Sequence, residues 1–260
     1  MHLSSSLLRR GAVVVALVAS GLLAGCGDGD DSETVGLAGL ADRTLTWSIN
    51  DMDLFEGVEP AGSHRFSLTF SRATGGRCTR LGEGVTASFN GVPMRLESGG
   101  INTTAGRDVC EPTRAFLDFD PTVWARQPIE DARVVLQDGG GSVSLVIQGG
   151  KAKRRFVLES EGSADRLTRG QDYSFRWQPG AERPGPIGVT LLREGGTATA
   201  TVPSTQREGV VTFAVPTQTP IANHLLTLSG TAPGAVLECT GVAACTGTVF
   251  HSEERLVTVQ

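Results

Sequence analysis

Short runs in which apolar and polar residues alternate recur from Thr44 to the C-terminus, and each reads as a half-buried β-strand. Residues 44–49 form the first. His64 to Phe70 alternates cleanly, with Phe66, Leu68 and Phe70 on one face. Residues 85–89 and 92–96 flank Asn90-Gly91, which supplies the two positive φ values of a type I′ hairpin turn. Residues 132–136 and 142–147 flank Asp138 to Gly141, a second predicted hairpin; 116–119 and 155–158 add shorter strands. After a polar stretch come further runs at 173–177, 188–192, 197–202, 210–215, 224–228, 236–239, 247–250 and 255–259. The longest helix the pattern allows is a short one between Pro121 and Glu130.

This spacing predicts an all-β protein of two antiparallel β-sandwiches, the second immunoglobulin-like in strand count. The expected domains are a sandwich over 44–162, a linker over 163–169 and a second sandwich over 170–260, with Trp177 in its core. The 34 glycines and 12 prolines are scattered without a triplet period, which excludes collagen and suits a turn-rich β-protein. The net charge of −5 argues against general nucleic-acid binding, which needs clustered cations to meet phosphates.

The N-terminus departs from the alternating pattern. Arg9-Arg10 precedes an apolar run from Gly11 to Ala24, too short to span about 30 Å of hydrocarbon but right for a secretory leader. Leu23-Ala24-Gly25-Cys26 follows directly. This resembles the lipobox of bacterial lipoproteins. The resemblance implies cleavage after Gly25, acylation of Cys26 by palmitate-type chains and a membrane partner reached through that lipid. Multiple chains anchor stably where one is marginal. Gly27 after the cysteine implies sorting to the outer membrane. Residues 26–43, rich in acids, are expected to form a solvated tether.

An exported chain is expected to oxidise its remaining cysteines, Cys78, Cys110, Cys239 and Cys245. Three pairings are possible; neighbourhood favours Cys78–Cys110 and Cys239–Cys245. The spacing does not suit zinc.

No catalytic or cofactor motif stands out. His64, His224 and His251 begin or end apparent strands and are expected at surfaces or sheet edges. Asp51, Asp53, Glu56, Asp118 and Asp120 read as turn chemistry. Calcium binding, or a glycoside-cleaving pair drawn from the Asp51 and Asp118 regions, is the alternative. Arg72, Arg77 and Arg80 surround Cys78. The densest cationic run, Lys151, Lys153, Arg154 and Arg155, is expected to be a solvated turn that could also serve as an anion-binding patch. The chain therefore reads as a non-catalytic envelope lipoprotein with a binding or structural role toward an envelope protein or polysaccharide. An assembly accessory with an open sheet edge is the second reading, and a polysaccharide hydrolase the third.

Overall fold

The computed structural model describes residues 32–55, 61–72, 78–104 and 107–260. The chain is all-β, built as two sandwiches of the immunoglobulin-like two-sheet kind. One nine-stranded sheet runs through both. Its order is Thr199–Thr201, Gly188–Arg193, Ala222–Pro233, Ala244–Val259, Thr44–Leu54, Ala61–Phe70, Arg114–Phe119 and Arg95–Glu97, with Arg166–Leu167 added beside Ala244–Val259.

Two smaller sheets cover this long one. A five-stranded sheet covers the first sandwich, so that Leu45, Trp47, Ile49, Phe66 and Phe70 pack on Val134, Leu136, Leu145 and Ile147. A four-stranded sheet covers the second, where Leu226, Leu228, Val257 and Val259 meet Phe156, Phe175, Trp177 and Phe213. The two cores are separate apolar clusters on one continuous backbone ladder. Burial of apolar surface, at about 25 cal/mol per Å², stabilises each.

The central strand, Ala244–Val259, makes that continuity. Its first ten residues pair in parallel with Thr44–Leu54. Its last twelve pair antiparallel with Ala222–Pro233. The parallel pairing joins residues far apart in sequence, which local patterning cannot foresee.

The predicted turns form as expected. Asn90 and Gly91 both have positive φ, and Phe89 pairs with Val92 across them. Asp120 caps the one-turn helix Pro121–Trp124 by accepting from the N–H groups of Thr122 and Val123. Both favoured disulfides are present, Cys78–Cys110 and Cys239–Cys245, with Cα separations of 5.5 and 5.9 Å. No helix among the described residues is long and apolar enough to cross a membrane.

The domain boundaries need three corrections. First, the polar stretch 163–169 is not the linker. Arg166–Leu167 pairs in parallel with Thr258 and Val259, Leu167 is buried, and the Thr168 N–H donates to the Tyr173 hydroxyl. The crossover between the covering sheets is 148–154. Second, residues 236–250 belong to the first sandwich: Val236–Thr240 pairs with Ser142–Ile147, and Val249 lies in the first core. Third, only part of the expected tether over 26–43 is a tether candidate. Glu33–Val35 pairs with Thr79–Leu81, and Leu37 and Leu40 are buried in the first core. The Asp138 carboxylate accepts from the Leu37 N–H, fixing that segment. Cys26, the lipobox and Arg77 lie outside the described residues.

Candidate functional site

The alternation that builds the first core does not stop at its edge. On Thr44–Leu54, Leu45, Trp47 and Ile49 face inward, and Asp51 takes the next inward position. On Ala61–Phe70, His64 precedes Phe66, Leu68 and Phe70 on the same face. Along the central strand the inward positions run Val249, His251, Glu253, Arg255 and Val257. Register then places Asp51 opposite His64 on one side and His251 on the other. A charged row therefore crosses the sheet between the two apolar cores.

The crossover lies over this row. Lys153 Nζ donates to Asp51 Oδ1 at 2.8 Å, to Asp53 Oδ2 at 2.6 Å and to the Arg154 carbonyl at 2.9 Å. The Arg154 N–H donates to Asp51 Oδ2 at 2.9 Å. The Arg154 guanidinium, fully buried, donates to the Ala152 carbonyl at 2.6 Å and to Glu182 Oε1 at 2.7 Å. Glu182 Oε2 in turn accepts from the Trp177 indole at 2.8 Å, which ties the network to the second core. His64 Nδ1 lies 2.9 Å from Asp51 Oδ1. His251 Nδ1 donates to the Asp51 carbonyl at 2.8 Å, and its ring packs on Phe156 and Trp177. Glu253 accepts from the Phe156 N–H at 2.8 Å and from Arg255 at 2.6 Å.

Burial would raise the Asp51 carboxyl. The His64 hydrogen bond, the electrostatic influence of His251 and the Lys153 ammonium together reverse this and hold it well below the ordinary carboxylate range. Glu253 is likewise lowered: His251, Arg255 and the Phe156 N–H outweigh its burial. Asp53 goes the other way. Burial and the neighbouring Asp51 charge raise it, against the pull of Lys153.

These shifts set an acid limit on stability. The contributions of Asp51 and Glu253 are present above their ordinary values of 3.8 and 4.5 and are lost as pH falls through their lower folded values. Asp53 acts in the opposite sense, its contribution being lost as pH rises. With two groups against one, the urea midpoint is expected to fall between about pH 5 and about pH 3. An equal or higher midpoint at the lower pH contradicts this.

Beside the charged row opens a cleft of about 530 Å³, lined by Asp53, Phe55, Lys153, Arg155, Glu253 and Arg255, among others. It is the candidate site: both signs of charge line it, and Asp53, Lys153, Glu253 and Arg255 of the network are among its lining residues.

Several sequence expectations change here. The run 151–155 is not a solvated anion-binding patch. Lys153 and Arg154 are buried with carboxylate partners, and Lys151 pairs with Glu130 at 2.6 Å. Only Arg155 is exposed, at the cleft wall. The histidines are not surface residues: His64, His224 and His251 are all buried. Asp51 and Asp118 do not face each other. Asp51 points into the interior, whereas Asp118, more than half exposed, pairs with Arg65 on the outer face of the same sheet. Arg72 donates to the Cys110 carbonyl. The missed signal was legible in one place: His64 shares the period of Phe66, Leu68 and Phe70 and so had to point inward.

No family model matches this chain, and no curated protein does. Solved structures that superpose on it include a chimeric titin Z1Z2 carrying an exogenous KLER peptide from decorin (13% identity, 85% of this chain and 94% of that one, TM-score 0.22). Another is titin Z1Z2 in complex with telethonin (14% identity, 85% and 95%, TM-score 0.21). Superpositions this loose carry nothing about function; the sandwich assignment stands on the sheets of the chain itself.

Proposed function

We propose that this chain is a non-catalytic lipoprotein of the bacterial cell envelope, held to the outer membrane through lipid on Cys26, with a binding or structural role. The observation that carries the reading is the ordered leader: Arg9-Arg10, the apolar run 11–24 and then Leu23-Ala24-Gly25-Cys26. Two disulfides fit an oxidising compartment.

Support for a non-catalytic role comes from the use of the charged groups. Lys153, Arg154 and Arg255 are engaged with Asp51, Asp53, Glu182 and Glu253. Asp51 and Asp118 lie on opposite faces of one sheet and so do not flank a common bond, as glycoside cleavage requires. With the cationic run engaged internally, a protein partner is favoured over a phosphate-bearing polysaccharide.

Cys26→Ser is expected to abolish metabolic labelling by palmitate and to release the chain from the outer-membrane fraction. Undiminished labelling contradicts the anchor.

An assembly accessory is the second reading, favoured by one feature. Thr199–Thr201 and Ser204–Arg207 are edge strands of two sheets, and every residue in both is exposed.

A further inference from the structure

His251, fully buried behind the cleft-lining Glu253, carries a ring nitrogen without a hydrogen-bond partner. Its Nδ1 lies 2.8 Å from a backbone carbonyl, which can only accept, so Nδ1 carries the proton. In the neutral ring Nε2 is then an acceptor. It is fully buried and has no hydrogen-bond partner. Glu253 Oε2, which accepts from the Phe156 N–H, lies 3.6 Å from it, too long for a hydrogen bond. With His251 neutral, two acceptors face each other in the interior, an arrangement that costs free energy unless a proton or a metal ion lies between them.

Asp53, His251 and Glu253 each offer a ligand atom within 4.8 Å of the others. Tetrahedral ligands with bonds near 2.1 Å stand about 3.4 Å apart, close to the separation of Nε2 and Oε2. The Nδ1–H to carbonyl bond is the outer contact that metal-bound histidines use to fix ring and tautomer. Asp53 and Glu253 also line the cleft, which gives an entry path and room for a water as fourth ligand. The neighbouring trio of Asp51, Asp53 and His64 is a weaker candidate. Asp51 already receives Lys153, His64 and the Arg154 N–H, and His64 turns Nδ1 to it.

We propose that Asp53, Glu253 and His251 Nε2 bind a divalent transition-metal ion of the zinc type, with the fourth position open to the cleft. The mixed nitrogen and oxygen donors favour zinc over calcium or magnesium. Lys153, bound to Asp53, weakens the site by repulsion without occupying the ligand atoms of His251 or Glu253. The site is independent of the lipid anchor.

The test is calorimetric titration of the full, chelator-treated protein in detergent with zinc, magnesium and calcium chlorides, followed by cobalt loading. One zinc per chain is expected, with magnesium and calcium at least tenfold weaker and tetrahedral cobalt bands in the visible spectrum. His251→Asn keeps a donor for the Asp51 carbonyl but loses Nε2. Glu253→Gln keeps an acceptor for the Phe156 N–H. Each is expected to weaken zinc binding at least tenfold with the near-ultraviolet circular dichroism unchanged, whereas Lys153→Met strengthens it. Should neither His251→Asn nor Glu253→Gln fold, nitrogen-15 spectra of the wild type decide: zinc must shift Nε2 of His251 and not of His64. Absence of zinc binding to the folded wild type, binding untouched by both ligand variants, or a shift at His64 instead overturns the proposal.

Discussion

Lys153→Met is expected to cost about 3–5 kcal/mol of unfolding free energy at neutral pH, the range for breaking a buried ion pair from one side. For a chain of this size that is a fall of about 10 °C in the thermal midpoint. The reason is the neighbourhood of its ammonium. Asp51 is fully buried and Asp53 partly so, and both carboxylates bind the same nitrogen. Without it, Asp51 keeps His64 and the Arg154 N–H, but the repulsion between Asp51 and Asp53 is no longer offset. Lys151→Met is the control. Its partner Glu130 is mostly exposed, so its loss should cost no more than about 1 kcal/mol. Two lysines two positions apart in the same cationic run are thus expected to differ severalfold. Equal small effects, read from urea unfolding of both variants, contradict the account of the crossover.

The second large effect is expected at Gly247. This residue sits opposite Trp47 in the parallel ladder, and the indole lies across it. A methyl group there would stand 2.2 Å from Cδ2 of the ring and 2.5 Å from the Trp47 carbonyl oxygen. The ring cannot simply turn away, because a Cβ at Gly234 would also fall within 2 Å of it. Gly247→Ala is therefore expected to cost about 3 kcal/mol, the upper part of the usual overpacking range. Trp47→Leu alone opens a cavity and destabilises as well. The double variant should lose clearly less than the sum of the two, since the smaller side chain removes the clash with the ring and leaves only that with the Trp47 carbonyl. Strict additivity, measured by denaturant unfolding of all three variants, contradicts the packing described.

The strands themselves were legible because each core face follows a period of two. Leu45, Trp47 and Ile49, or Phe66, Leu68 and Phe70, leave one reading. Asn90-Gly91 and the cysteine neighbourhoods were equally local signals, and the structure agrees with both. The misreadings of the central strand and of the cationic run share one cause. His251 to Arg255 interrupts an apolar pattern with five polar residues, so the central strand reads as two short ones, 247–250 and 255–259. A buried ionic seam and a solvated loop have the same hydropathy. Only the pairing of the central strand with Thr44–Leu54, about 200 positions away, distinguishes them. The same ambiguity made 151–155 look like a surface turn, because the partners of Lys153 and Arg154 are roughly 30 to 100 residues distant.

That seam leads to the central physical claim: the two sandwiches are one body, joined by a shared sheet and a buried charge network. Differential scanning calorimetry of the full chain with its disulfides intact tests this most directly. A single transition is expected, with calorimetric and van't Hoff enthalpies equal. Two separable transitions, with Gly247→Ala moving one and leaving the other in place, would contradict it.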